Sequence, residues 1–176
     1  MSEIKKYTIC ALVSNKSGVL TRISGLFTRR GYNIESLSVC ATEDSEISRM
    51  TIILNGDEYL LYQMIKQMDK LEDVKKIGCA NEMDCVYRDL ALVKVAASPE
   101  KRREIVEITE IYKAKVVDLS PDTMILEITG DPEKLDAFLK VVAPYDILEM
   151  QRTGVTVLAR GTHTLKDRDC YKDHIN

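Results

Sequence analysis

Tryptophan is absent from this 176-residue chain, and phenylalanine occurs only twice. That scarcity counts against an aromatic platform on which nucleic-acid bases would stack. No apolar run approaches the roughly 20 residues that a helical membrane span needs. The N-terminal MSEIKKYTICALVSNKSG alternates and offers no signal-peptide core with a small-residue cleavage site. Neither charge sign dominates: the net charge of -3 creates no strong field for nucleic acid or an anionic membrane. The chain is therefore expected to be cytoplasmic, with no membrane or nucleic-acid partner. An RNA-binding sheet of the RRM kind is disfavoured further by the missing aromatic RNP pattern. The five cysteines form no CxxC pair and are odd in number, which suits a reducing compartment better than a disulfide framework.

What is present is an ordinary globular balance, 45% hydrophobic and 30% charged. Hydrophobic periodicity predicts a strand over 4–13, a helix within 15–33, strands over 34–41 and 47–55, a helix from about Asp57, and a strand over 74–79. This order, βαββαβ, is the split βαβ or ferredoxin-like pattern. It places two helices on one face of a four-stranded sheet and leaves the opposite face uncovered. A unit of about 80 residues buries little, so it is expected to dimerise or to pack on another domain. After a linker at 80–86 the order repeats. The elements are a strand over 87–96, a helix after Ser98-Pro99, a hairpin over 115–129, a helix capped by Asp131-Pro132, and strands near 145–150 and 155–158. The expectation is an α+β chain of two ferredoxin-like domains in tandem, 4–80 and 81–161, followed by a mobile polar tail, 162–176.

A search for catalytic chemistry finds little. The two histidines, His163 and His174, lie near the C-terminus with Cys170, in a spacing that matches no usual zinc pattern. Glu43, Asp44 and Glu46 read as a solvated acidic turn. Gly18, Gly25 and Gly31 lack phosphate-loop spacing, and Gly25 is expected to permit close packing of its helix. The remaining feature is the mouth of the first helix. Ser17 is a candidate N-cap and Gly18 leaves the backbone approachable. A carboxylate suits such a helix N-terminus. Asn15 offers an amide donor and acceptor, and Val19, Leu20 and Ile34 could receive an aliphatic side chain. The residue types alone leave two readings open: an amino-acid site, or plain capping by Asn15 and Ser17 with Asn33 merely opening a strand.

The stretch NKSGVLTRISGLFTRRGYNIESLSV resembles the ACT domain of the small, regulatory subunits of acetolactate synthase. The family's block is matched at Asn15, Gly18, Leu20, Arg22, Gly25, Leu26, Phe27, Arg30, Gly31, Tyr32, Asn33, Ile34, Ser36 and Leu37. SRMTI at 48–52, LALVKV at 90–95, KLDAFL at 134–139 and TGVTVLARG at 153–161 extend the resemblance to about residues 4–161. It implies a non-catalytic ACT protein of branched-chain amino acid biosynthesis. It also implies a homodimer through the ACT domains, and activation of a larger catalytic subunit contacted by the second domain. Feedback inhibition by valine, or by another branched-chain amino acid, is implied as well. Thiamine diphosphate, Mg2+ and FAD would belong to that catalytic subunit, with no cofactor or metal on this chain. The effector would lie between protomers, on Asn15, Ser17, Gly18, Val19 and Leu20 of one and Asn33 and Ile34 of the other. The alternatives are a free-standing ACT sensor for a different enzyme and an autonomous enzyme.

Overall fold

In the computed structural model residues 4–82 and 84–167 are described. The chain packs as two compact units: residues up to 86 together with those from 156 onward, and residues 87–155. The first contains β1 (Lys5–Ser14), α1 (Val19–Thr28), β2 (Ile34–Ala41), β3 (Ile47–Gly56), α2 (Glu58–Asp69) and β4 (Val74–Cys79). Its antiparallel sheet has the order β2-β3-β1-β4. Strand alternation sends Ile9, Ala11 and Val13 of β1, and Met50, Ile52 and Leu54 of β3, to one face. There they meet Val19, Ile23, Leu26 and Phe27 of α1 and Leu61, Met64, Ile65 and Met68 of α2. Each fully buried large apolar side chain contributes about 1.5–3 kcal/mol. Local chemistry sets the helix ends. Asp57 accepts the Leu60 N–H at 2.8 Å. Gly31, at φ +69°, lets Tyr32 N–H reach back to the Phe27 carbonyl at 3.0 Å.

The second unit repeats the plan with β5 (Cys85–Ala96), α3 (Arg102–Tyr112), β6 (Lys115–Leu119), β7 (Thr123–Gly130), α4 (Pro132–Val142) and β8 (Ile147–Arg152). β5 begins two residues before the unit does. The strand order β6-β7-β5-β8 is the same ferredoxin-like order. Ala91, Val93, Val95, Met124, Leu126 and Ile128 pack against Ile105, Leu135, Phe138 and Val142. Asp131 caps α4 by accepting the Lys134 N–H at 2.8 Å, with proline at the first helical turn. Ser98 does not open α3 directly. Its carbonyl accepts from Lys101 and Arg102 in a separate turn, and the helix starts at Arg102. A buried ion pair marks the start of the unit. Asp89, almost wholly enclosed, takes Arg152 Nε at 2.8 Å and Nη2 at 2.6 Å, while Arg152 Nη1 reaches Asp136 at 2.7 Å. Burial works against the Arg152 charge, but the hydrogen bonds it donates to Asp136 and Asp89 outweigh this and raise its pKa.

Four expectations need correction. The 80–86 linker is fastened down: Asn81 Oδ1 accepts the Thr8 N–H at 2.7 Å and Asn81 Nδ2 donates to the Lys6 carbonyl at 3.0 Å. The far face of the first sheet is covered, since Cys10 is 1% and Leu12 6% exposed. The chain itself returns there. β9 (Thr156–Ala159), which pairs with β5, and a 3-10 turn, Leu165–Asp167, cluster with the first compact unit. The described part of the tail is therefore packed: Leu165 is buried, and Lys166 pairs with Glu43 at 2.9 Å. That hydrogen bond holds the Glu43 carboxyl below its usual range, while Glu43, Asp44 and Glu46 are all exposed, as expected of a solvated acidic turn. Finally, a Cβ on Gly25 would meet nothing within 4 Å, so that glycine serves no close packing within the chain.

Candidate functional site

The mouth of α1 is built by the turn that leaves β1. Asn15 is held by two bonds to the β2–β3 turn: its N–H donates to the Glu46 carbonyl at 2.7 Å and its Nδ2 to the Ser45 carbonyl at 2.8 Å. Those bonds use the backbone N–H and one of the two amide N–H donors of Asn15 and leave Oδ1 as an acceptor. The N-cap is Gly18, not Ser17. Gly18 lies in the left-handed region at φ +82°, which only glycine enters without strain. Because the chain enters the helix by this route, no side chain caps α1. The Val19 N–H turns back to the Lys16 carbonyl at 3.4 Å. The helix mouth therefore keeps N–H donors and the positive end of the dipole without an acidic side chain in the first turn. A Cβ on Gly18 would meet nothing within 4 Å, so the approach is open.

Around this mouth Asn15, Ser17 and Leu20 are exposed, and Leu20 is an aliphatic side chain left out of the core. Val19 points into the core, so only its backbone can serve a ligand. Arg22, one turn along, is held by Asp73 at 2.7 Å. Asn33 is exposed and Ile34 half-buried, at the start of β2. They follow the far end of α1. Ten helical residues span about 15 Å, so one protomer does not bring Asn33 and Ile34 to its own Gly18. None of the seven side chains is ionisable. The arrangement supplies N–H donors, amides and apolar contact, which is equipment for binding and not for proton transfer.

Other groups that could carry chemistry are elsewhere. Among the described residues no group of three or more His, Cys, Asp or Glu could hold a metal ion. His163 lines a cleft with Cys10 and Cys85; Cys170 and His174 lie outside the described residues. Cys10 is a core thiol: burial pushes it up to about 11, against the opposing pull of the neighbouring Arg49 charge. No helix among the described residues is long and apolar enough to cross a membrane. Arg49 was missed in the sequence. The signal was there, since an arginine in ISRMTIILN faces away from Met50 and Ile52 and must be accommodated on the other side of the sheet.

Comparison with known proteins matches both units. Residues 9–76 match the family described as AHAS small subunit-like ACT domain, and residues 88–161 match the family described as small subunit of acetolactate synthase. An Archaeoglobus fulgidus protein named probable acetolactate synthase small subunit is 49% identical over 89% of this chain and 98% of its own length. The acetolactate synthase small subunit of Mycolicibacterium smegmatis is 46% identical over 88% of this chain and 91% of its own. The crystal structure of the acetolactate synthase small subunit from Thermotoga maritima superposes with a TM-score of 0.82 at 34% identity, covering 90% of this chain and 99% of that one.

Proposed function

The chain belongs to the acetolactate synthase small-subunit family, and from that premise we propose that it regulates a separate catalytic subunit in response to a branched-chain amino acid. The observation that carries the effector reading is Gly18: a left-handed, unobstructed residue at a helix mouth that no side chain caps. Valine's carboxylate takes the N–H donors of that mouth. Asn15 Oδ1 accepts from its ammonium group, and Leu20 meets its isopropyl group. Since Asn33 and Ile34 stand at the other end of α1, they complete the site from a second protomer. The functional unit is thus a homodimer through the ACT domains, with half of two sites on each chain.

A site shared between protomers gives the effector what allostery requires, a different affinity for two arrangements. Valine fixes one placement of the paired ACT domains, and the second domain transmits it to the catalytic subunit. That subunit supplies thiamine diphosphate, magnesium and FAD; this chain acts by contact alone. The test is reconstitution. The purified chain is added to the catalytic subunit and acetolactate formation is followed with rising valine. Expected are a faster rate without valine and saturable inhibition with it. Acetolactate formed by this chain alone would overturn the proposal. Valine binding without any effect on the partner's rate would instead indicate an amino-acid sensor serving a different enzyme.

A further inference from the structure

The covered face of the first sheet holds a cleft of about 650 Å³. Its floor follows from strand register. Cys40 lies opposite Arg49, Arg49 opposite Leu12, and Leu12 opposite Lys76, so one row crosses all four strands. With strands about 4.8 Å apart, Arg49 and Lys76 stand roughly 10 Å from each other with Leu12 between them. The returning segment adds Leu158 and Leu165 as an apolar wall. Lys75 and Lys166 also line the cleft, against Glu43 and Asp44, which leaves positive charge in excess.

Arg49 is the unusual member. One Nη donates to the Val157 carbonyl at 2.9 Å. Its Nε is buried and has no hydrogen-bond partner among the described residues. A buried guanidinium N–H normally finds an acceptor, and an unsatisfied one calls for an explanation. We propose that this cleft is a second ligand site, separate from the α1 mouth, for an amphipathic organic anion. A carboxylate or sulfonate sits against Arg49 and Lys76, and its apolar body lies over Leu12 beside Leu158 and Leu165. The volume falls in the range of small-molecule sites, about 300–1,000 Å³, and exceeds what a single amino acid fills. No aromatic residue lines the cleft among the described residues, so a nucleotide base finds no stacking partner there.

The test uses the full chain and 8-anilinonaphthalene-1-sulfonate, whose fluorescence rises in apolar sites. Expected is saturable binding of one probe per chain, displaced by decanoate and not by decanol. Arg49→Met keeps the apolar stem and removes the charge, and should weaken binding at least tenfold. Ala41→Trp, at an exposed lining position, fills the cleft and should abolish binding while leaving Arg49 in place. Thermal unfolding and circular dichroism establish that each variant folds; if Arg49→Met does not, Ala41→Trp decides. Absence of saturable binding, equal displacement by decanol, or native binding by folded Ala41→Trp overturns the proposal.

Discussion

Gly18→Asp separates the fold from the proposed effector site. A Cβ at Gly18 has free space, so the substitution meets no clash. Its cost is conformational. An L residue in the left-handed region loses about 1–2 kcal/mol, and aspartate tolerates that region better than most. At this chain length such a loss lowers the melting temperature by about 2–8 °C. The new carboxylate also stands at the positive end of α1, which returns about 0.3–1 kcal/mol. The same attraction makes it compete for the N–H donors that valine's carboxylate needs. Losing one charge-assisted hydrogen bond of about 1.5–3 kcal/mol weakens valine roughly 10- to 150-fold. Gly18→Ala supplies the control, since it shares the backbone strain and adds no charge. Calorimetric titration of both variants, with thermal unfolding beside it, gives the answer. A folded Gly18→Asp dimer that binds valine as the native chain does would refute the reasoning. So would an equal loss in Gly18→Ala, which would shift the cause from charge to backbone.

Three further outcomes are expected. Arg152→Met leaves the enclosed Asp89 carboxylate, among the described residues, with Thr153 Oγ1 at 3.2 Å as its side-chain partner, and should cost about 3 kcal/mol in chemical unfolding. Adding Asp89→Asn should recover part of that loss, and a double variant no better than the single would count against a pairing role. Leu165→Ala removes the buried anchor of the returning segment at about 2–3 kcal/mol and should speed alkylation of Cys10, read by peptide mass spectrometry. Unchanged Cys10 protection would mean that the segment does not guard it. The folded Cys10 thiol titrates near 11 against 9.0 unfolded, so between those values the folded state binds more protons. Stability from this source is intact below pH 9 and fades as pH rises through 11, by about 3 kcal/mol at most. Guanidinium unfolding at pH 8 and pH 10.5 should show a smaller drop for Cys10→Ala than for the native chain.

The sequence alone determined the order of the elements and most of their ends. Those features rest on contacts within a few residues. Examples are the Asp57 and Asp131 side chains bonding three residues on, Gly31 turning the chain after α1, and alternation selecting Ile9, Ala11 and Val13 for one face. The family block around Gly18 was equally legible because it is contiguous. Even there, the residue types pointed to Ser17 as the cap, and only the backbone conformation moved that role to Gly18. What tertiary structure decided involves residues distant along the chain. Asn15 is tied to Ser45, Glu43 is paired with Lys166, and Leu12 is set between Arg49 and Lys76. No local pattern encodes those pairings, because strand register and the return of residues 156–167 are settled by which apolar surfaces remain to be buried once each helix has covered its own face. The tail looked mobile because its composition is polar, yet in its described part Leu165 is buried and Lys166 pairs with Glu43.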